Sequence, residues 1–227
     1  MNKFTNISRR ARIGLRGILF ASSALLMTSC GGAQQYQYLS DNVSGVIVQL
    51  PQDWTILEGD KILAVTAQRL PEIDNAVISR WIYGFSADPG ARGESLLSAT
   101  SGKPGGIVRS RYLLASEAYT PEALAVRNLL SQINDMALIS GGNLTEKSRS
   151  SFGVITQSGV NGVGHTVELE TAEGPLTVRY IVTVDPRVNQ VNSFLIGCSS
   201  ACFQQYSAQI DQVSRSFTVV DPATLSR

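Results

Sequence analysis

Leu176, Val178, Tyr180, Val182 and Val184 alternate with Thr177, Arg179, Ile181 and Thr183. A period of two in β-branched and aromatic residues predicts a strand with one face buried. Asp185-Pro186-Arg187 signals a turn. Val191 to Cys198 then reads as a second strand, with Phe194 and Ile196 on one face. Ser199-Ser200 offers a helix N-cap, because a serine oxygen can accept from the free N–H groups of a first turn. Phe203, Tyr206, Ile210, Val213 and Phe217 follow at spacings of three or four, an apolar stripe that predicts a helix over 201–215. Ser216 to Val219 reads as a short last strand.

Upstream, Val46, Val48 and Leu50 alternate with Ile47 and Gln49 as a first strand, which ends at the turn Pro51-Gln52-Asp53-Trp54. Ile62–Gln68 and Val77–Phe85 read as further strands. Asp88–Gly106 holds five glycines and two prolines, and predicts a long loop with one helical turn at Glu94–Ala99. Ile107–Leu114 reads as a strand. Thr120-Pro121-Glu122 starts a helix that runs to 138 and stops at Gly141-Gly142. Ser151–Gln157 and Val163–Thr171 complete an antiparallel meander with 176–184 and 191–198. The expected fold class is α+β, a mostly antiparallel sheet of about seven strands covered by helices. No β-α-β-α alternation supports a Rossmann-like sheet.

The beginning of the chain changes the picture. Lys3, Arg9, Arg10, Arg12 and Arg16 form a basic segment with no acid, followed by a short apolar run from Ile18 to Met27. Such a run is too short to span a membrane comfortably and reads as a signal peptide over residues 1–29. It ends in Leu26-Met27-Thr28-Ser29-Cys30-Gly31. Small residues before a cysteine resemble the bacterial lipobox, although Met27 stands where leucine is commoner. That resemblance implies lipidation of Cys30, with acyl chains such as palmitate anchoring the protein to a membrane. The rival readings are an ordinary secretory peptide with a chance cysteine and, from Arg9-Arg10, a twin-arginine signal lacking its hydrophobic residues. Residues 30–42 then read as the lipidated cysteine and a polar tether, 43–221 as one domain and 222–227 as a tail.

Without residues 1–29 the chain keeps 14 basic and 18 acidic side chains, a net charge of −4. A nucleic-acid binder needs a concentrated basic face, so that class is excluded. The 198 residues from Cys30 onward suffice for one domain with a sizeable core.

Val46-Ile47-Val48-Gln49-Leu50-Pro51-Gln52-Asp53-Trp54 resembles the opening strand, proline and tryptophan of the PsbP-like (Mog/PsbP) α/β sandwich family. Ile210-Asp211-Gln212-Val213-Ser214-Arg215-Ser216-Phe217 resembles the family's closing helix. The likeness spans most of 43–221. It implies a mostly non-enzymatic relationship: extrinsic subunits of photosystem II, a Ran-binding protein and bacterial lipoproteins. No functional residue carries over, because the matching positions are structural.

The chemistry on offer is sparse. His165 is the single histidine, on a strand face with Val167, Leu169 and Thr171. It reads as a general base or ligand on the sharp view, and as a strand histidine on the bland one. A serine nucleophile lacks a Gly-x-Ser-x-Gly elbow, and Gly102-Lys103-Pro104 lacks the rest of a P-loop. No cofactor motif and no metal set is present, since one histidine and two cysteines are too few for zinc. Cys198 and Cys202 flank the strand-to-helix bend at Ser199-Ser200, where a disulfide can close with Cys202 in the first turn; two free thiols are the alternative. Arg80, Arg92, Lys103, Arg109 and Arg111 cluster about the long loop as an anion or lipid-headgroup site, or as a solvated face. Trp54, Trp81 and Tyr83 line a pocket or fill the core, and Trp54, Phe203, Ile210 and Phe217 are the structural residues. The expectation is a non-enzymatic, lipid-anchored protein facing the periplasm that binds or steadies an envelope protein partner. The alternatives are a hydrolase using His165, and a small-ligand carrier with a pocket between sheet and helix.

Overall fold

The computed structural model describes residues 35–69, 79–112, 144–157, 160–185 and 190–220. The expected signal peptide over 1–29, Cys30, the helix expected over 121–138 and the expected tail from 222 lie outside the described residues.

Seven strands form the main antiparallel sheet: β3 (Thr55–Leu57), β4 (Ser79–Ser86), β5 (Gly105–Tyr112), β6 (Thr145–Gln157), β7 (Val160–Thr171), β8 (Gly174–Asp185) and β9 (Gln190–Ser199). Their order is β3-β4-β5-β9-β8-β7-β6. The expected meander runs from β6 to β9 by antiparallel neighbours. A second sheet has β2 (Val46–Pro51) between β1 (Tyr36–Asp41) and β10 (Thr218–Val219). The fold is α+β and mostly antiparallel.

β8 and β9 are buried on both faces, so the strict alternation along 176–184 separates two cores rather than core from solvent. On one face Ile181, Phe194, Ile196 and Val108 meet Leu39, Val46, Val48 and Leu50 of the small sheet, and Phe203, Ile210, Val213 and Phe217 at the chain's end. On the other face Val178, Tyr180, Val182 and Leu195 form a second cluster with Leu97 and Ala99 of the loop. In the first cluster Trp54 stacks on Phe85, Phe85 on Phe194, and Phe194 meets Phe217, with ring centres 6.0, 5.5 and 5.6 Å apart. Offset rings at this spacing gain more than their buried area alone. Gly106 makes room for the stack: a Cβ there would lie 2.5 Å from Phe85 Cζ and 2.1 Å from the Leu195 carbonyl oxygen.

The structure corrects several sequence expectations. Ile62–Gln68 is not a strand but part of helix α1 (Gly59–Arg69). A short apolar run fits either period; Asp60 in the first turn is compatible with a helix, and the packing of Ile62 against Leu57 and Leu96 decides for it. The tether does not reach Asn42, because Tyr36–Asp41 is a strand paired with β2; only Leu39 of it is buried, so its pattern carries little signal. The single helix expected over 201–215 is two, α2 (Ser200–Gln205) and α3 (Ser207–Ser216), broken at Tyr206. The break keeps the Tyr206 N–H on the Cys202 carbonyl at 2.9 Å while its backbone leaves helical geometry. β3 has no counterpart in the sequence reading, since three residues carry no period.

At the end of β9, Ser199 caps α2 by accepting from the Cys202 N–H at 3.3 Å. Cys198 and Cys202 form a disulfide across this bend, with Cα atoms 5.9 Å apart. Both are buried in the first core.

Candidate functional site

His165 lies on β7 opposite Ser151 of β6 and Tyr180 of β8. A serine opposite a histidine is the pairing a hydrolase would need, but the imidazole makes no hydrogen bond among the described residues. The carboxylate whose charge acts on it, Glu146, is committed elsewhere. Glu146 accepts from Arg149 Nε at 2.9 Å and Nη2 at 2.6 Å. Residues three apart on a regular strand face opposite ways; a register shift between Glu146 and Ser148 brings this pair together. The Arg149 hydrogen bonds hold Glu146 below its ordinary pKa. Burial lowers the His165 pKa; Arg149 adds to the shift and Glu146 opposes it. His165 is a half-buried strand residue that favours its neutral form, without the base-to-orienter hydrogen bond of a triad.

The five cations of the long loop do not converge. Arg80 lies over the Tyr112 ring at 4.7 Å and reaches Gln190 Oε1 at 3.4 Å. Lys103 donates to the Tyr206 hydroxyl at 2.6 Å, which raises its pKa. Arg111 is buried and donates to the Tyr112 carbonyl at 2.8 Å. Arg109 stands on β5 beside it, opposite Ile82 and Ser193. Arg92 borders a cleft.

That cleft, about 450 Å³, opens between β3, the first half of α1 and the loop at Ala91–Glu94. Ile56, Leu57, Ala64 and Val65 supply its apolar lining, and Lys61, Arg92 and Glu94 its charged lining. Volume and lining suit a small amphipathic molecule. The loop is pinned beside it. Leu96 packs with Leu57 and Ile62 in one cluster, and Leu97 is buried in the second core. Sending two consecutive side chains into different clusters requires an abrupt turn, and Leu97 takes φ 58° to make it. A leucine in the left-handed region is strained and persists only where packing holds it. Gly93 lets the loop approach α1: a Cβ would lie 3.0 Å from Val65 Cγ2 and 3.1 Å from the Lys61 carbonyl oxygen. Sequence reasoning singled out Arg92 but missed Lys61, because it misread α1.

Trp54 belongs to the core, while Trp81 and Tyr83 pack half-buried at its edge with ring centres 5.2 Å apart. Among the described residues no group of histidine, cysteine, aspartate or glutamate stands ready to hold a metal ion.

No protein-family model matches the sequence, and no curated protein matches it. Solved structures do resemble it. The solution structure of cyanobacterial PsbP (CyanoP) from Synechocystis sp. PCC 6803 is similar with a TM-score of 0.52 at 14% identity, covering 85% of this chain and 98% of that one. The Saccharomyces cerevisiae Ran-binding protein Mog1p gives a TM-score of 0.43 at 9% identity, over 84% of this chain and 98% of its own. LpqN, involved in cell envelope biogenesis of Mycobacterium tuberculosis, gives 0.42 at 12%, over 82% and 91%. The likeness to CyanoP shows the fold: this chain has a PsbP-like α+β architecture.

Proposed function

We propose that this chain is a non-enzymatic binding domain held at the bacterial cell envelope by a lipid on Cys30 and facing the periplasm, where it binds or steadies a protein partner. The observation that carries the non-enzymatic part is the isolation of His165. Its neighbouring carboxylate, Glu146, is occupied by Arg149, and among the described residues no nucleophile bonds the imidazole. The lipobox-like Leu26-Met27-Thr28-Ser29-Cys30 supports the anchor. β1 starts at Tyr36, so only five residues separate Cys30 from Tyr36. At about 3.5 Å per extended residue the domain would ride close to the membrane surface.

Fractionation and intact mass test this reading together. Wild-type protein sediments with membranes and carries acyl mass on Cys30, whereas Cys30→Ala is released or stays unprocessed, because each buried CH₂ contributes roughly 0.8 kcal/mol. Identical fractionation and identical mature mass would sink the anchor. His165→Ala retains function in a binding domain and abolishes it in a hydrolase.

The cleft beside α1 favours a second reading, a small-ligand carrier whose pocket lies between sheet and helix. Native mass spectrometry of protein purified without detergent reads a retained ligand directly.

A further inference from the structure

We propose that the cleft between β3, α1 and the Ala91–Glu94 loop takes a single-chain amphiphile with a monoanionic head, carboxylate or phosphodiester. This rests on the carrier reading above and names its ligand class. The alkyl chain lies against Ile56, Leu57 and Val65, and the head sits between Lys61 and Arg92, all of which line the cleft.

Three observations lead there. The cleft lining combines apolar Ile56, Leu57 and Val65 with charged Lys61, Arg92 and Glu94, the two parts an amphiphile has in itself. Lys61 and Arg92 are exposed, and neither side chain makes an ion pair or hydrogen bond among the described residues. Elsewhere around the loop, Arg80 and Lys103 are taken up by tyrosines. Two cations left unengaged on the edge of one cleft are complementary to an anion. Glu94 lines the same edge; two cations and one carboxylate leave a single net positive charge, which suits a monoanion over a dianion. The site is also preformed. Leu96 and the strained Leu97 hold the loop from below, and Gly93 holds it against α1. Little ordering is left for the ligand to impose, so binding is not penalised by loop closure.

Isothermal titration of the mature protein tests the assignment with four probes below their micellar concentrations: dodecanoate, lysophosphatidylglycerol, dodecyl maltoside and dodecyltrimethylammonium. The expected result is one-to-one binding of an anionic probe, at least tenfold tighter than the neutral or cationic one and weakened by salt. The stronger of dodecanoate and lysophosphatidylglycerol tells a fatty acid from a phospholipid source. Lys61→Ala and Arg92→Ala should each weaken the anion about tenfold, and Glu94→Gln should tighten it. Val65→Trp should block all probes, which places them in this cleft. Equal binding of all four probes, blocked by Val65→Trp, would overturn the anionic assignment and leave the carrier reading standing. Absence of binding by any probe would overturn both. Binding that Val65→Trp leaves intact would overturn this site.

Discussion

The guanidinium carbon of Arg179 lies 4.2 Å from the centre of the Phe152 ring and 5.5 Å from that of Phe203. Its Nε donates to Thr166 Oγ1 at 3.1 Å and its Nη1 to Asp211 of α3. Gly164 leaves the space Phe152 needs: a Cβ there would lie 2.9 Å from Phe152 Cδ1. Arg179 is only 8% exposed, so its charge depends on these contacts. Asp211→Ala should therefore destabilise the protein by about 1–2 kcal/mol, less than for a fully buried pair because Asp211 is half-exposed. Arg179→Met, which removes the charge and keeps the bulk, should cost less than Arg179→Ala. Urea unfolding of the three variants gives the order; an equal loss for Met and Ala would show that charge, not packing, holds this corner.

Phe217 closes the aromatic row at the end of α3 and is buried. Phe217→Ala should cost about 3–5 kcal/mol. A loss below about 1 kcal/mol in chemical denaturation would contradict the packing described for the chain's end.

The disulfide predicts that mature protein, alkylated without reduction, carries no label on Cys198 or Cys202. Because the loop it closes is so short, Cys198→Ala with Cys202→Ala should lower stability by only about 2 kcal/mol. Labelling of both cysteines in protein purified without reductant would overturn the pairing.

Ser110, Asn192 and Thr183 form one cross-strand row on β5, β9 and β8. All three are buried, and Ser110 Oγ, Asn192 Nδ2 and Thr183 Oγ1 make no hydrogen bond among the described residues. A buried hydroxyl without a partner costs about 1–3 kcal/mol of desolvation. Thr183→Val, which replaces it by a methyl, should raise the melting temperature. A fall instead would mean that the Thr183 hydroxyl is engaged in solution.

Acid should weaken the β6–β7 edge in two stages. The folded pKa of His165 is depressed below the ordinary 6.5, so folded protein resists a proton that unfolded chain accepts. Its contribution is absent well above pH 6.5 and becomes destabilising as pH falls through the unfolded value. Glu146 is also depressed, below 4.5. Its contribution is intact above that value and is lost as pH falls through the folded one. His165→Gln should flatten the decline between pH 7 and pH 5 and leave most of the lower stage, which rests first on the Arg149 hydrogen bonds, in place; stability measured by urea across both stages checks it.

Much of the architecture is written in local pattern. Period two along 176–184 and 191–198, the Ser199 cap and the stripe through Phe203, Ile210 and Phe217 depend on neighbours in sequence, so they are legible there. The alternation does not say that both faces of β8 are buried, because that depends on which segments lie over them. Ile62–Gln68 satisfies two periods at once, and its helix is decided by packing against Leu57 and Leu96. β1 carries one buried residue and takes its conformation from β2. The cleft was not legible, because Lys61 and Arg92 are 31 positions apart in sequence and meet only where the loop doubles back on α1. His165 was legible as isolated among histidines; that its neighbouring carboxylate belongs to Arg149 was decided by a bulge, a register shift that no residue type announces.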